Sequence, residues 1–321
     1  MSNDAFLSVV VPVYNEEDNI DVFYERTTPI LGSIDERFEI IFINDGSYDH
    51  TVDKIKALHA KDPRVKLIDL SRNFGKEIAM TAGIDFACGE IVVIMDVDLQ
   101  DPPELIPQMV DKWRSGYDTV YATRVTRQGE TFLKRATAEA FYSIIKRLSH
   151  VDIPKNTGDF RLINRRTVNA IKLMKEQHRF MKGLFSWVGF KQTGIPYVRE
   201  ARFAGRTKWN YWRLWNFAIE GITSFSYLPL QLSSYIGFFI AIVAFIYASF
   251  LIVRTFIFGK DVPGYASIMV AILFLGGVQL LFLGIMGEYL GRLFNQVKNR
   301  PLYFISDVIG IDKNKDSARS N

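Results

Sequence analysis

Ile91-Val92-Val93-Ile94-Met95-Asp96-Val97-Asp98-Leu99-Gln100-Asp101 is an apolar run that stops at two carboxylates one residue apart. A short apolar run ending in polar residues reads as a buried strand. Ligands of open α/β sheets bind outside the carboxyl ends of strands. Asp96 and Asp98 therefore belong where a ligand would lie. Mg²⁺ is typically held by one or two carboxylates and shared with substrate phosphates. The pair thus suits a divalent cation and, through it, a diphosphate. An Asp-x-Asp is common in loops; its place after a strand is what gives it weight.

Upstream, Leu7–Val13, Phe38–Asn44 and Val65–Leu70 read as strands. Between them lie helical patterns at Asn19–Leu31, at Asp49–Ala60 with Ser47 or Asp49 as N-cap, and at Glu77–Ala87. Downstream, Asp101-Pro102 is expected to open a helix, with Asp as cap and Pro at its first position. Thr119–Ala122 reads as a fifth strand. This alternation predicts an α/β domain with a mainly parallel sheet and helices on both faces. Three strand ends carry polar clusters: Pro12-Val13-Tyr14-Asn15-Glu16-Glu17, Asn44-Asp45-Gly46-Ser47 and the Asp96 to Asp101 stretch. On one sheet edge, the first two could hold a base and ribose and the third a metal-diphosphate. No Gly-x-Gly-x-x-Gly follows the first strand, and Gly75-Lys76 lacks the upstream Gly of a P-loop. A dinucleotide dehydrogenase and a P-loop kinase are thereby disfavoured.

Leu228–Val253 and Ala266–Met286 are uncharged apolar runs. Each reaches the roughly 20 residues that a helix needs to cross a bilayer. Arg292, Lys298 and Arg300 flank the second run, whereas the turn Phe258 to Gly264 between the runs carries Lys260 as its only basic residue. By the positive-inside rule both chain ends face the cytoplasm. Phe132 to Leu148 has helical apolar spacing with Lys134, Arg135, Lys146 and Arg147 on the polar side. Trp209, Tyr211, Trp212, Trp215 and Phe217 precede the first run, as expected of rings at the headgroup level. The expected organisation is a cytoplasmic domain over 1–227, with interfacial helices near 131–148 and 208–226. Two spans then cover 228–290, and a cytoplasmic tail covers 291–321.

The 321 residues carry a net charge of +4 and no block of five Lys/Arg, and no nucleic-acid motif is present, so no nucleic-acid partner is expected. Cys88 is the one cysteine, which excludes an intrachain disulfide. Asp4 and the short Leu7–Val13 run do not make a secretory leader. Gly276-Gly277 and Gly284 permit close helix packing, within the chain or in a homo-oligomer. Glu288 is expected at the interface or paired with Arg292.

Val11-Pro12-Val13-Tyr14-Asn15-Glu16-Glu17, Asn44-Asp45-Gly46-Ser47 and Asp96-Val97-Asp98-Leu99-Gln100-Asp101-Pro102-Pro103-Glu104 together resemble the family 2 glycosyltransferases of the GT-A fold. Ser71-Arg72-Asn73-Phe74-Gly75-Lys76 and Asn156-Thr157-Gly158-Asp159-Phe160-Arg161 narrow the resemblance to polyprenyl-phosphate glycosyltransferases. The two C-terminal runs make the chain most similar to bactoprenol glucosyltransferases of O-antigen modification. A Gln-x-x-Arg-Trp motif of processive members is missing; Gln177-His178-Arg179-Phe180 is the nearest string. A single-sugar transfer is expected.

The resemblance implies a UDP-sugar donor, a polyprenyl phosphate acceptor, Mg²⁺ or Mn²⁺, and a bacterial inner-membrane location. It implies that Asp45 binds uracil or ribose, with Pro12, Tyr14 and Glu16 beside it. Asp96 and Asp98 would hold metal and diphosphate, with Gln100 close by. Asp159 matches the position proposed as catalytic base. Arg124, Arg135 and Arg206, with Lys208, resemble the positions that hold the lipid phosphate. A phosphate monoester is largely dianionic at neutral pH. Asp159 is accordingly expected to orient the metal, donor or an arginine rather than to take a proton. GDP-mannose or an amino-arabinose nucleotide as donor, and a nucleotide- or lipid-binding scaffold without turnover, stay open on residues alone.

Overall fold

The computed structural model describes residues 5–125, 154, 156–177, 179–198, 228–259 and 264–311. Its first half alternates as the sequence predicts: β1 (Leu7–Val13), α1 (Glu17–Ile34), β2 (Phe38–Asn44), α2 (Thr51–Lys61), β3 (Val65–Leu70), α3 (Lys76–Phe86) and β4 (Ile91–Ile94). A 3₁₀ turn (Pro103–Leu105) leads into α4 (Ile106–Arg114) and β5 (Thr119–Arg124). There follow β6 (Thr157–Asn164), α5 (Arg165–Leu173), α6 (Met181–Trp187) and β7 (Gln192–Tyr197). Two long helices, α7 (Leu228–Phe258) and α8 (Tyr265–Val297), precede β8 (Ile305–Ile309).

These strands form one sheet in the order β7-β5-β6-β4-β1-β2-β3-β8. β6 and β8 run antiparallel to their neighbours, and the other pairings are parallel. The period of two in a strand sends alternate side chains to opposite faces. Val9, Val11, Ile40 and Phe42 accordingly join the core on one face; Val10, Ile41 and Ile43 join the core on the other. Each such side chain contributes about 1.5–3 kcal/mol by leaving water. Gly83 lets α3 close on the sheet: a Cβ there would lie 2.3 Å from Val10 Cγ1 and 2.7 Å from Ile43 Cδ1.

Four local expectations are corrected. Asp101 does not cap a helix, because its carboxylate is engaged by the Tyr197 hydroxyl, and the 3₁₀ turn begins without a side-chain cap. Arg124 is the last residue of β5 rather than a residue beyond it, since pairing with β7 continues to Tyr197. α2 has His50 at its cap position; Asp49 Oδ1 nonetheless accepts the Thr51 N–H at 3.1 Å. Residues 305–309, placed by sequence in a tail, complete the sheet against β3.

α7 and α8 are long and apolar enough to cross a membrane, over Leu230–Phe258 and Ser267–Val297, and none of that surface is buried. Glu288 pairs with Arg292 one turn later, at 3.0 Å, as expected. The interfacial segments near 131–148 and 208–226 lie outside the described residues.

Candidate active site

The carboxyl ends of β1, β2, β4, β5 and β7 share one edge with the amino end of antiparallel β6. β4 pairs with β6 at Ile94–Arg161. Continuing that register by two residues sets Asp96 opposite Asp159. Sequence elements more than sixty residues apart thus converge because β6 inserts beside β4.

A lysine sits between them. Lys76 Nζ is 2.6 Å from Asp96 Oδ1 and 2.6 Å from Asp159 Oδ2. Lys182 Nζ approaches the other oxygen of Asp159 at 3.8 Å. Burial disfavours the Asp159 anion, but Lys76, Lys182 and Arg161 outweigh it and hold its pKa well below the usual carboxylate range. Desolvation of the ammonium between the carboxylates opposes the charge on the partly exposed Lys76, and Asp159 and Asp96 more than offset it, so its pKa lies above normal. Beside them burial pushes Glu77 up to about 7, with the Asp159 charge adding to the effect. Its Oε2 accepts the Met181 N–H at 2.9 Å.

Arg161, in β6, is buried and fixes the strand end that carries Asp159. It donates from Nη2 to Gly158 O at 3.0 Å and from Nε to Asp159 O at 3.3 Å. Its guanidinium stacks 4.0 Å from the Phe185 ring centroid. Burial pulls its pKa down to about 10.

Asp45, following β2, is buried and tied to the loop that delivers Lys76. The Phe74 N–H donates to its Oδ1 at 2.7 Å and the Gly75 N–H to its Oδ2 at 3.0 Å. Burial raises its pKa; those two bonds and Arg72 oppose the rise. Gly46 makes this approach feasible, with φ +72° and Asn73 N only 2.6 Å from where a Cβ would stand. The β1 end is stitched to the same loop system. Asn15 N–H donates to Ser47 Oγ at 2.9 Å, and Glu16 N–H to Thr51 Oγ1 at 2.9 Å. Tyr14 meets Tyr48 edge to face, at 6.2 Å between centroids.

The Asp-x-Asp turn is strained. Leu99 has φ +54°, a left-handed backbone for a branched residue, and is buried. Such conformations cost of order 1–3 kcal/mol and concentrate at functional sites. The turn keeps Asp98 near the backbone, where its Oδ1 accepts the Gln100 N–H at 3.3 Å. Asp96 and Asp98 fit a divalent cation by their donor chemistry, and Asp96 already receives the Lys76 cation. Among the described residues no group of three or more His, Cys, Asp or Glu could hold a metal by itself. The pair suits an ion that completes its shell with phosphate oxygens and water.

Arg124 is drawn to the same edge. Its Nε donates to Tyr197 Oη at 3.2 Å, and the Tyr197 hydroxyl donates to Asp101 Oδ1. Its Nη2 would be 3.1 Å from a Cβ at Gly158, so the guanidinium lies over the residue before Asp159. Burial and the Asp101 charge push Tyr197 up to about 12, so it stays protonated and able to donate. The other three basic candidates, Arg135, Arg206 and Lys208, lie outside the described residues.

Sequence reasoning gave no role to Lys76 or Arg161, which it quoted only within the Ser71–Lys76 and Asn156–Arg161 motifs, and passed over Lys182, Glu77 and Tyr197. The usable signal for Lys76 was its place at the start of a helix facing the sheet edge. Arg161 offered a second signal, a charge within an otherwise apolar strand.

Residues 8–171 match Glycosyl transferase family 2, and residues 228–293 match the GtrB C-terminal hairpin. An uncharacterized glycosyltransferase of Synechocystis is 56% identical over 306 residues, covering 95% of this chain and 96% of the relative. The SfII prophage-derived bactoprenol glucosyl transferase of Shigella flexneri is 50% identical over 299 residues, covering 93% of this chain and 97% of the relative. An uncharacterized glycosyltransferase of Bacillus subtilis is 44% identical over 315 residues, covering 98% of each chain. With the family match spanning half the sequence and these likenesses running nearly its full length, the chain belongs to glycosyl transferase family 2 and carries the GtrB C-terminal hairpin.

Proposed function

We propose that this GT-A enzyme transfers one glucose from UDP-glucose to undecaprenyl phosphate, with inversion, at the cytoplasmic face of a bacterial inner membrane. The observation that carries this is the Asp96–Lys76–Asp159 constellation on the sheet edge of a chain half identical to a bactoprenol glucosyl transferase. The hairpin supports a lipid acceptor, since it would keep the site beside the bilayer. The product would serve envelope or O-antigen glycan modification. The domain organisation proposed is a catalytic unit over 1–227 completed by β8 (Ile305–Ile309), spans over 228–290 and a cytoplasmic segment over 291–321 that carries β8.

Asp96 and Asp98 would hold Mg²⁺ or Mn²⁺, which when bound stabilises the leaving diphosphate as a Lewis acid. Asp45, with Pro12, Tyr14 and Glu16, would frame the nucleoside; Gln100 would lie by the diphosphate. Asp45 supports this role indirectly, by tying down the Phe74–Gly75 loop. Arg124, with Arg135, Arg206 and Lys208, would hold the acceptor phosphate, for which the forked guanidinium is suited. Arg124 is positioned by Tyr197, which is itself anchored on Asp101.

The acceptor phosphate is already largely dianionic at neutral pH. A phosphate oxygen attacks the anomeric carbon, and the bond to the UDP oxygen breaks on the opposite face. Asp159 holds Lys76 and Lys182 rather than waiting for a proton. Its task in this scheme is to place cations between two anionic substrates that would otherwise repel. The anomeric configuration of the product tests inversion: an α-linked donor must give a β-linked glucosyl phosphate by NMR, and an α-linked product would overturn the scheme.

A further inference from the structure

Two loops deliver cations to Asp159, and both are tied to the chain leaving α8. Gln296, in the last turn of α8, accepts the Gln177 N–H on Oε1 at 2.9 Å and donates from Nε2 to Lys175 O at 3.2 Å. Gln177 donates in return from Nε2 to Arg300 O at 2.6 Å. The same loop then runs inward. Arg179, Phe180 and Met181 are buried, and Arg179 Nη1 donates back to Met174 O at 2.7 Å. Met181 N–H reaches Glu77, and the next residue is Lys182, beside Asp159.

The second tie lies a few residues further along. Ser71 N–H donates to Phe304 O at 2.9 Å, and the Tyr303 hydroxyl donates to Asp85 Oδ2 at 2.9 Å, near the end of α3. Ser71 begins the loop that ends at Lys76. β8 then fastens the chain to β3.

We propose that residues 296–304 form a brace through which the apolar hairpin sets Lys76 and Lys182 on Asp159, with Gln296 as a positioning residue for transfer. This rests on the lipid-acceptor reading above: a soluble donor and a membrane-held acceptor must meet at a fixed height above the bilayer. A site fastened to the foot of the hairpin meets that demand. Misplacement of reacting groups by about 1 Å can cost on the order of 100-fold in rate, so a modest slackening of either loop is readable in kcat.

The test uses the full-length protein in detergent micelles. Gln296→Leu removes both side-chain bonds at similar volume. It is expected to lower kcat about fivefold to tenfold, the net worth of one or two hydrogen bonds. KM for the nucleotide sugar should stay within about twofold. Hydrogen–deuterium exchange should quicken at residues 179–183, where the Met181 amide is bonded to Glu77. Gln296→Glu keeps an acceptor for Gln177 N–H and should restore part of the rate. Wild-type kcat, or unchanged exchange at 179–183, would overturn the brace. Should Gln296→Leu fail to fold, Gln177→Ala, which removes the bond to Arg300 O alone, gives the same two readouts with a smaller expected change. Exchange needs no substrate, so a wrong donor assignment would leave that readout intact, whereas a wrong brace would not.

Discussion

Lys76 Nζ donates to Asp159 Oδ2 at 2.6 Å, joining the first turn of α3 to the start of β6 across 83 positions of sequence. The same ammonium touches Asp96, so one cation spans both carboxylates. The pair is not sealed: 43% of the Lys76 side chain is exposed.

Lys76→Met is expected to lower kcat by about 100-fold or more, the usual loss when one preorganised charge donor is removed. Lys76→Arg should recover little, because a planar fork does not replace a compact ammonium between two carboxylates. Steady-state kinetics with both substrates saturating would show this. A Lys76→Met enzyme turning over at the wild-type rate would leave the lysine a structural role alone.

For Asp159→Asn the informative variable is pH. Were Asp159 a general base, ionising the acceptor would bypass it, and the variant's rate would climb as pH rises through the phosphate's second pKa, near 6. Because Asp159 is occupied by two lysines, the expectation is a rate profile that stays low up to about pH 9. Recovery above about pH 7 would restore the base role.

Tyr197→Phe deletes the hydroxyl that stands between Asp101 and Arg124. Arg124 would then lose a hydrogen-bond acceptor and Asp101 a donor, a change worth roughly 1–3 kcal/mol. KM for polyprenyl phosphate should rise about tenfold while UDP binding, measured by calorimetry, stays the same. Equal weakening of both would place Arg124 on the nucleotide side instead.

Gly46→Ala should destabilise the fold rather than merely slow it. The added methyl meets Asn73 N at 2.6 Å and Arg72 C at 2.7 Å, on a backbone with φ +72°. A loss of about 2–4 kcal/mol is expected from strain and clash together, read as a lowered thermal midpoint in detergent. An unchanged midpoint would mean that the Arg72–Asn73 loop moves freely away from Asp45.

The first half of the fold was legible because its strands are apolar, short and separated by helical patterns. β1 to β4 fall within a residue of where their sequence places them. β6 was not seen: Thr157-Gly158-Asp159-Phe160-Arg161 mixes a glycine and two charges, and only an antiparallel neighbour on each side makes it a strand. β7 contains Gly194 and Pro196, and pairs on one side among the described strands. β8 was hidden by distance, since its partner β3 precedes it by more than two hundred residues. Asp96 and Asp159 were identified as separate motifs; that they face one another follows from the β4–β6 register, which no local pattern encodes. The apolar hairpin was plain in its length and lack of charge.

The central claim is tested most directly by transfer in detergent with undecaprenyl phosphate, Mg²⁺ or Mn²⁺, and a panel of radiolabelled UDP- and GDP-sugars. The account predicts label moving into the organic phase from UDP-glucose and not from GDP-mannose, and disappearing in Asp96→Asn. No transfer from any donor, with UDP still bound, would contradict it and leave a membrane-anchored nucleotide-binding protein.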